Sequence, residues 1–119
     1  LKERKVPTAN LTMNIREVAE GIRVIDVVGE ITAFSEKEIS DAHEKAADGA
    51  TAVILNFEGL DYMNSGGIGL LVTTLIRAQR AGHALRAYGL TEHYREIFNL
   101  TRLDGAIGIY DDEAAAVAG

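Results

Sequence analysis

The run Ala52-Val-Ile-Leu-Asn-Phe-Glu-Gly-Leu-Asp-Tyr-Met-Asn-Ser-Gly-Gly-Ile-Gly-Leu-Leu-Val-Thr-Thr-Leu-Ile76 decides how the rest of the chain is read. Ala52 to Leu55 is continuously apolar and too short for a helix, the pattern of a strand covered on both faces. Further on, Ile68, Leu71, Val72, Leu75 and Ile76 recur at helical spacing, which predicts one apolar stripe along a helix. Between the two lies a polar, glycine-rich turn, Asp61 to Gly69. The alternation continues downstream: Ala84 to Tyr88 reads as a strand, the segment with Tyr94, Ile97 and Phe98 as a helix, and Ile107 to Tyr110 as a strand. Strands separated by helices become parallel neighbours in a sheet. Glu113 to Ala118 is alanine-rich and predicts a short closing helix.

Upstream the period changes. Leu11, Met13 and Ile15 alternate with Thr12, Asn14 and Arg16, a strand with one buried face. Glu20-Gly21 makes a short turn into the β-branched run Ile22 to Val28, and the pair predicts an antiparallel hairpin ended by Gly29. Ser35-Glu-Lys-Glu38 has capping-box spacing, flanked by Phe34 and Ile39 at hydrophobic-staple spacing, so a helix is expected from there to about Ala47. The fold class that follows is α/β: a mixed sheet made of an N-terminal hairpin and parallel βα units, with helices packed on it.

Composition narrows the function. The chain has 119 residues, 47% of them apolar, enough for one compact core. Eighteen acidic against twelve basic residues leave a formal net charge of -6, which repels phosphate backbones and argues against a nucleic-acid partner. There is no cysteine, so neither disulfides nor thiolate metal sites are available. The longest uncharged stretch, Tyr62 to Ile76, carries Asn, Ser, Gly and Thr and falls short of the roughly 20 apolar residues of a membrane span. With no apolar signal segment at its start, the chain is expected to be cytoplasmic. Lys2-Glu3-Arg4-Lys5 before Pro7, the only proline, reads as a linker or tail over residues 1–10, with one domain over 11–118.

Chemistry concentrates in the turn between strand and helix, where open α/β sheets usually bind ligands and partners. Asn64 or Ser65 can cap the helix, since each offers an oxygen to amides that lack an intrahelical acceptor. Gly66, Gly67 and Gly69 then open it at a cost in helix propensity. Two readings account for them: tight packing of helix on sheet, or a bare backbone that lets another protein's active site reach the Ser65 hydroxyl. A phosphate loop would need a lysine that is missing, and a nucleophile elbow would need a glycine where Met63 stands. His43, His83 and His93 show no spacing that links them to Ser65 and are expected to be solvated surface residues. No acid, base, nucleophile or metal constellation assembles, so no enzyme and no cofactor are expected.

Leu60-Asp-Tyr-Met-Asn-Ser-Gly-Gly-Ile-Gly-Leu70 resembles the segment, usually written with Asp-Ser-Ser-Gly-Leu-Gly, that carries the phosphorylated serine of anti-sigma-factor antagonists, the STAS family of bacterial partner-switching regulators. Gly29-Glu-Ile-Thr32 is similar to that family's Gly-Glu-Leu-Asp, Ala52 to Phe57 to its buried strand, and Tyr94 to Asp104 with Ile107 to Asp111 to its closing helix and strand. The resemblance covers residues 11 to 118. It implies a STAS fold, phosphorylation at Ser65, and a partner surface formed by Glu30, Thr32, Tyr62, Met63, Asn64, Gly66 and Gly67. The implied partner is an anti-sigma factor that is also a serine kinase: the unmodified chain binds it, and phosphorylation releases it. Two residues depart from the pattern, Asn64 and Thr32, each standing where the family usually has Asp. They weaken the match to ordinary kinase recognition. The basic linker favours a rival, a non-phosphorylated STAS scaffold or the regulatory domain of a transporter or multi-domain sensor.

Overall fold

A computed structural model describes residues 10–119. Apart from Asn10, the expected linker lies outside the described residues. Five strands form one mixed sheet: β1 (Leu11–Ala19), β2 (Ile22–Ile31), β3 (Ala52–Met63), β4 (Ala84–Tyr88) and β5 (Gly108–Tyr110). Four helices accompany them: α1 (Glu36–Ala47), α2 (Ser65–Ala81), α3 (Glu92–Leu100) and α4 (Glu113–Ala118). The sheet order is β1-β2-β3-β4-β5, with β1 antiparallel to β2 and every later pair parallel. The expected fold class is the one found.

This order explains where the helices sit. Each crossover moves one strand further in the same direction, and right-handed connections then put α1, α2 and α3 on one face. That face holds the larger core, with Ile25, Val27, Leu55, Phe57, Leu71, Leu85 and Phe98 interlocked between sheet and helices. The other face carries a smaller cluster, Val24, Ile54 and Tyr88, closed by Ala116 of α4. Val53 and Ile54 point to opposite faces and are both 0% exposed, which is why β3 begins as an unbroken apolar run.

A charged network pins α4 down. The Arg16 guanidinium donates to both Asp26 oxygens, at 2.6 and 2.9 Å, and to Glu113 at 2.6 Å, while the Tyr88 hydroxyl donates to Glu113 at 2.8 Å. Arg16 beside it holds the Asp26 carboxyl below the ordinary carboxylate range, against the opposing effect of burial.

Three local expectations are corrected. The capping box belongs to Thr32 and Ser35: Thr32 Oγ1 accepts from Phe34 N at 3.2 Å, and Ser35 Oγ accepts from Thr32 N at 3.0 Å. Ser35 makes no side-chain cap to α1 because its hydroxyl is turned inward, fully buried, toward the Glu30 carbonyl. Phe34 is 63% exposed, so it forms no staple with the buried Ile39. Finally, Val72 and Ile76 are exposed; the buried stripe of α2 runs through Gly67, Leu71, Thr74, Leu75 and Ala78 instead.

Candidate functional site

The site is built where β2 and β3 leave the sheet side by side. In their parallel register Glu30 lies opposite Tyr62 and Ile31 opposite Met63, and the Asn64 amide donates to the Ile31 carbonyl at 3.3 Å. The segments that follow, Thr32 to Ser35 and Asn64 to Gly69, therefore emerge together. Gly29, with φ 115°, permits the first: a Cβ there would overlap the Asn10 carbonyl oxygen.

Asn64 is the helix cap. Its backbone is extended, its Oδ1 accepts from Gly67 N at 3.0 Å, and its carbonyl accepts from Ile68 N at 3.0 Å. Ser65 is thereby free of capping duty and stands as the first residue of α2, exposed. The glycines divide between the two readings. A Cβ on Gly67 would overlap the Ile31 carbonyl oxygen, and one on Gly66 would stand 2.9 Å from both the Cβ and the amide nitrogen of Ala33, so these two are packing glycines. At Gly69 a Cβ would meet nothing within 4 Å, so packing does not explain it.

The structure separates Tyr62 from Met63. Tyr62 is 48% exposed at the end of β3. Met63 is 5% exposed and part of the main core, so its side chain is not available to a partner; this corrects its expected place on the contact surface. Gly67 is buried as well, and supplies a close approach rather than a contact. Glu30, Thr32, Tyr62, Asn64, Ser65 and Gly66 remain together at the surface or part-exposed. Phe34, beside Ala33, adds an exposed aromatic ring that the hydrophobic-staple reading had turned inward. From Ser65 an open strip continues along α2 through Gly69, Val72 and Ile76, which follow at helical spacing and are exposed.

One positioning residue was not foreseen. The buried Tyr94 of α3 accepts, through its hydroxyl, the Met63 amide at 2.9 Å, fixing the last residue of β3 just before the cap. Its signal was a tyrosine within an apolar stripe, since a buried phenol needs a polar partner.

Two of the three histidines differ from expectation. His93 is exposed, edge-on to Tyr94. His43 and His83 are not solvated: they are 5% and 7% exposed and share a hydrogen bond between their Nε2 atoms at 3.0 Å. Among the described residues no three metal-ligating side chains converge, and no helix is long and apolar enough to cross a membrane.

Comparison with known proteins agrees with this geometry. The sequence model of the STAS domain matches residues 15–116. The anti-sigma-B factor antagonist of Bacillus subtilis (strain 168) is 24% identical over 100 residues, which span 84% of this chain and 91% of that protein. The structure of the Bacillus cell fate determinant SpoIIAA in its phosphorylated form superposes with a TM-score of 0.69 at 21% identity, covering 90% of this chain and 98% of the other. A sulfate transporter family protein from Wolinella succinogenes superposes with a TM-score of 0.74 at 15% identity, covering 87% of each. The last two likenesses establish the fold.

Proposed function

The chain belongs to the STAS domain family, and on that premise we propose that it is an anti-sigma factor antagonist, a cytoplasmic binding regulator switched by phosphorylation of Ser65. The observation that carries the reading is an exposed serine at the first residue of α2, its hydroxyl released from capping by Asn64. An acceptor must offer its oxygen to another protein's active site, and this one is not used by its own helix. Around it lie the features of a docking surface: two exposed aromatic rings, Phe34 and Tyr62, and the open strip Gly69, Val72 and Ile76. Aromatic side chains of this kind commonly anchor protein interfaces.

Phosphorylation adds about -1.5 to -2 charge at pH 7. At a helix N-terminus the dipole favours that charge, so the fold tolerates it. Against an apolar docking surface, a dianion without a cationic partner costs several kcal/mol in desolvation, a change of orders of magnitude in affinity. The unmodified chain therefore binds its anti-sigma factor and the phosphorylated chain lets go. The partner is proposed to be the serine kinase as well.

The test is incubation with the source organism's candidate serine kinases and ATP, mass mapping of the phosphate, and calorimetry with the partner. Phosphate on Ser65 and loss of binding are expected. Ser65→Ala should keep the partner bound with kinase and ATP present, and Ser65→Asp should bind more weakly than the parent. No phosphate on Ser65, with equal affinity for Ser65→Asp and parent, would overturn the switch. That result would leave the second reading, a non-phosphorylated scaffold or regulatory domain of a transporter or sensor, which the neutral Asn64 and Thr32 favour.

A further inference from the structure

His43 and His83 lie at the opposite end of the sheet from Ser65, and the proposed switch makes no use of them. His43 sits in the last turns of α1; His83 follows Gly82, which ends α2 in the left-handed conformation. Their Nε2···Nε2 bond at 3.0 Å joins α1 to the turn between α2 and β4. Both rings line a cleft of about 1000 Å³ between the two helices, open to solvent and also lined by Ser40, Glu44, Lys45 and Arg77.

We propose that this pair is an acid-labile clasp, which holds α1 against the α2–β4 turn while one imidazole donates and the other accepts, and releases α1 when the accepting nitrogen takes up a proton. A bond between two Nε2 atoms carries one proton: a second proton on the accepting Nε2 puts two N–H donors face to face at 3.0 Å, and one taken up instead by the donor ring's Nδ1 keeps that bond but places a cation inside a buried pair.

The charge that bears on the pair opposes the cation. From α2, Arg77 faces the pair and is itself a cation, donating to Ser40 Oγ at 2.7 Å. From α1 the cleft receives Lys45 together with Asp41, Glu44 and Asp48. Of these carboxylates, Asp41 is already paired with Lys37 at 2.8 Å. Under His43, the sheet and α2 present Met13, Ile25, Leu55, Phe57 and Leu71, none of which titrates. Burial first, then His83 and Arg77, push the His43 imidazole down from 6.5 to about 4, and burial lowers His83 too.

The sign follows from linkage. A histidine lowered in the closed state favours the closed state fully above its ordinary value of 6.5, and progressively less as pH falls from there toward about 4. For His43 alone, those two values raise the open-to-closed ratio on the order of 20-fold between pH 7 and pH 5. The 3-10 turn Ala33–Ser35 leads directly into α1 and packs on Gly66, so the clasp also steadies the scaffold beneath the Ser65 turn.

Amide hydrogen exchange by NMR on the whole chain at pH 7 and pH 5, corrected for intrinsic rates, tests this. Amides of α1 from Ile39 to Ala47 should lose protection on the order of 20-fold at pH 5, while those of Val53 to Leu55 keep theirs. His43→Leu, which fits the apolar surroundings, and His43→Gln, which keeps a neutral hydrogen-bonding group, should each remove most of the difference between the two pH values; the second serves if the first misfolds. Equal α1 protection at both pH values, a loss shared equally by β3, or an undiminished acid effect in the folded variants would overturn the proposal.

Discussion

Gly67 and Gly69 stand two residues apart on one helix, and the same substitution should push the protein in opposite directions. Gly67→Ala places a methyl group onto the Ile31 carbonyl oxygen and 2.9 Å from both the Ile31 carbonyl carbon and Cγ2. The carbonyl belongs to the last residue of β2, is held by the Asn64 amide at 3.3 Å and cannot rotate away, so the start of α2 must lift. Overpacking of this kind costs about 3 kcal/mol at the upper end of its usual range, while exchanging Gly for Ala returns at most about 1 kcal/mol of helix propensity. The net loss is about 2 kcal/mol. Gly69→Ala meets nothing within 4 Å and keeps the propensity gain of about 1 kcal/mol. For a domain of this length, 1 kcal/mol moves the midpoint by about 4 °C, so the pair should straddle the parent by roughly 8 °C below and 4 °C above. Chemical and thermal denaturation of the three proteins reads this directly. If both substitutions shift the midpoint the same way, the division into one packing and one open glycine is wrong. Gly69→Ala should at the same time weaken partner binding, since its methyl group projects from the strip that begins at Ser65.

Tyr94→Phe leaves the buried Met63 amide without an acceptor, a loss of about 1–3 kcal/mol measurable by denaturant titration, with faster exchange at the Asn64 and Ser65 amides. Ser65→Ala should change stability by less than about 0.5 kcal/mol, because Asn64 is the cap; Asn64→Ala should cost about 1 kcal/mol. Arg16→Met should cost about 1 kcal/mol at neutral pH, the scale of part-exposed ion pairs. Arg16 lowers the Asp26 carboxyl in the folded state, so this contribution is present above the ordinary value of 3.8 and fades as pH falls through the lowered one; parent and variant should converge in acid. Asn64→Asp with Thr32→Asp restores the carboxylates of the family pattern and should speed phosphorylation by a cognate kinase; an unchanged rate would show those acids are not needed.

The sheet order was legible because its cues are local: β-branched alternation in β1 and β2, the apolar run at Ala52, and helical stripes between strands. What escaped was set by tertiary neighbours. Asn56, Glu58 and Asp61 break the apolar run, so the pattern ends at Leu55, although Phe57 still enters the core and Asn56 donates to Asp26 at 2.8 Å on the far face. Ser35 satisfies one cap spacing as well as another; which it serves depends on the Glu30 carbonyl behind it. Val72 and Ile76 look like core on a helical wheel, and nothing in their own segment says that the sheet lies under Leu71 and Ala78 instead. Two histidines forty residues apart carry no mutual signal in one sequence; only the side-by-side packing of α1 and the α2–β4 turn makes them a pair. The turn at Ser65 was readable as a helix start from Asn64 and the glycines. The exposure of Phe34 was not, because the ring sits on a 3-10 turn whose direction the Thr32 cap sets.

The strictly sequential strand order also governs how quickly the chain can find its fold. Every sheet pairing joins strands that are neighbours along the chain, so each loop to be closed is one tight turn or one helix long. Only the hairpin is local in the sense that speeds folding; the parallel pairs close over about 30 positions, as from Ile22 to Ala52, and parallel sheets form slowly. A far longer reach lies at the back of the sheet, where Arg16 and Glu113 meet from 97 positions apart. On a ribosome, where chains grow from the N-terminus, the hairpin, β3 and the helices above them can assemble while Val24 and Ile54 still face water, waiting for α4 to be made.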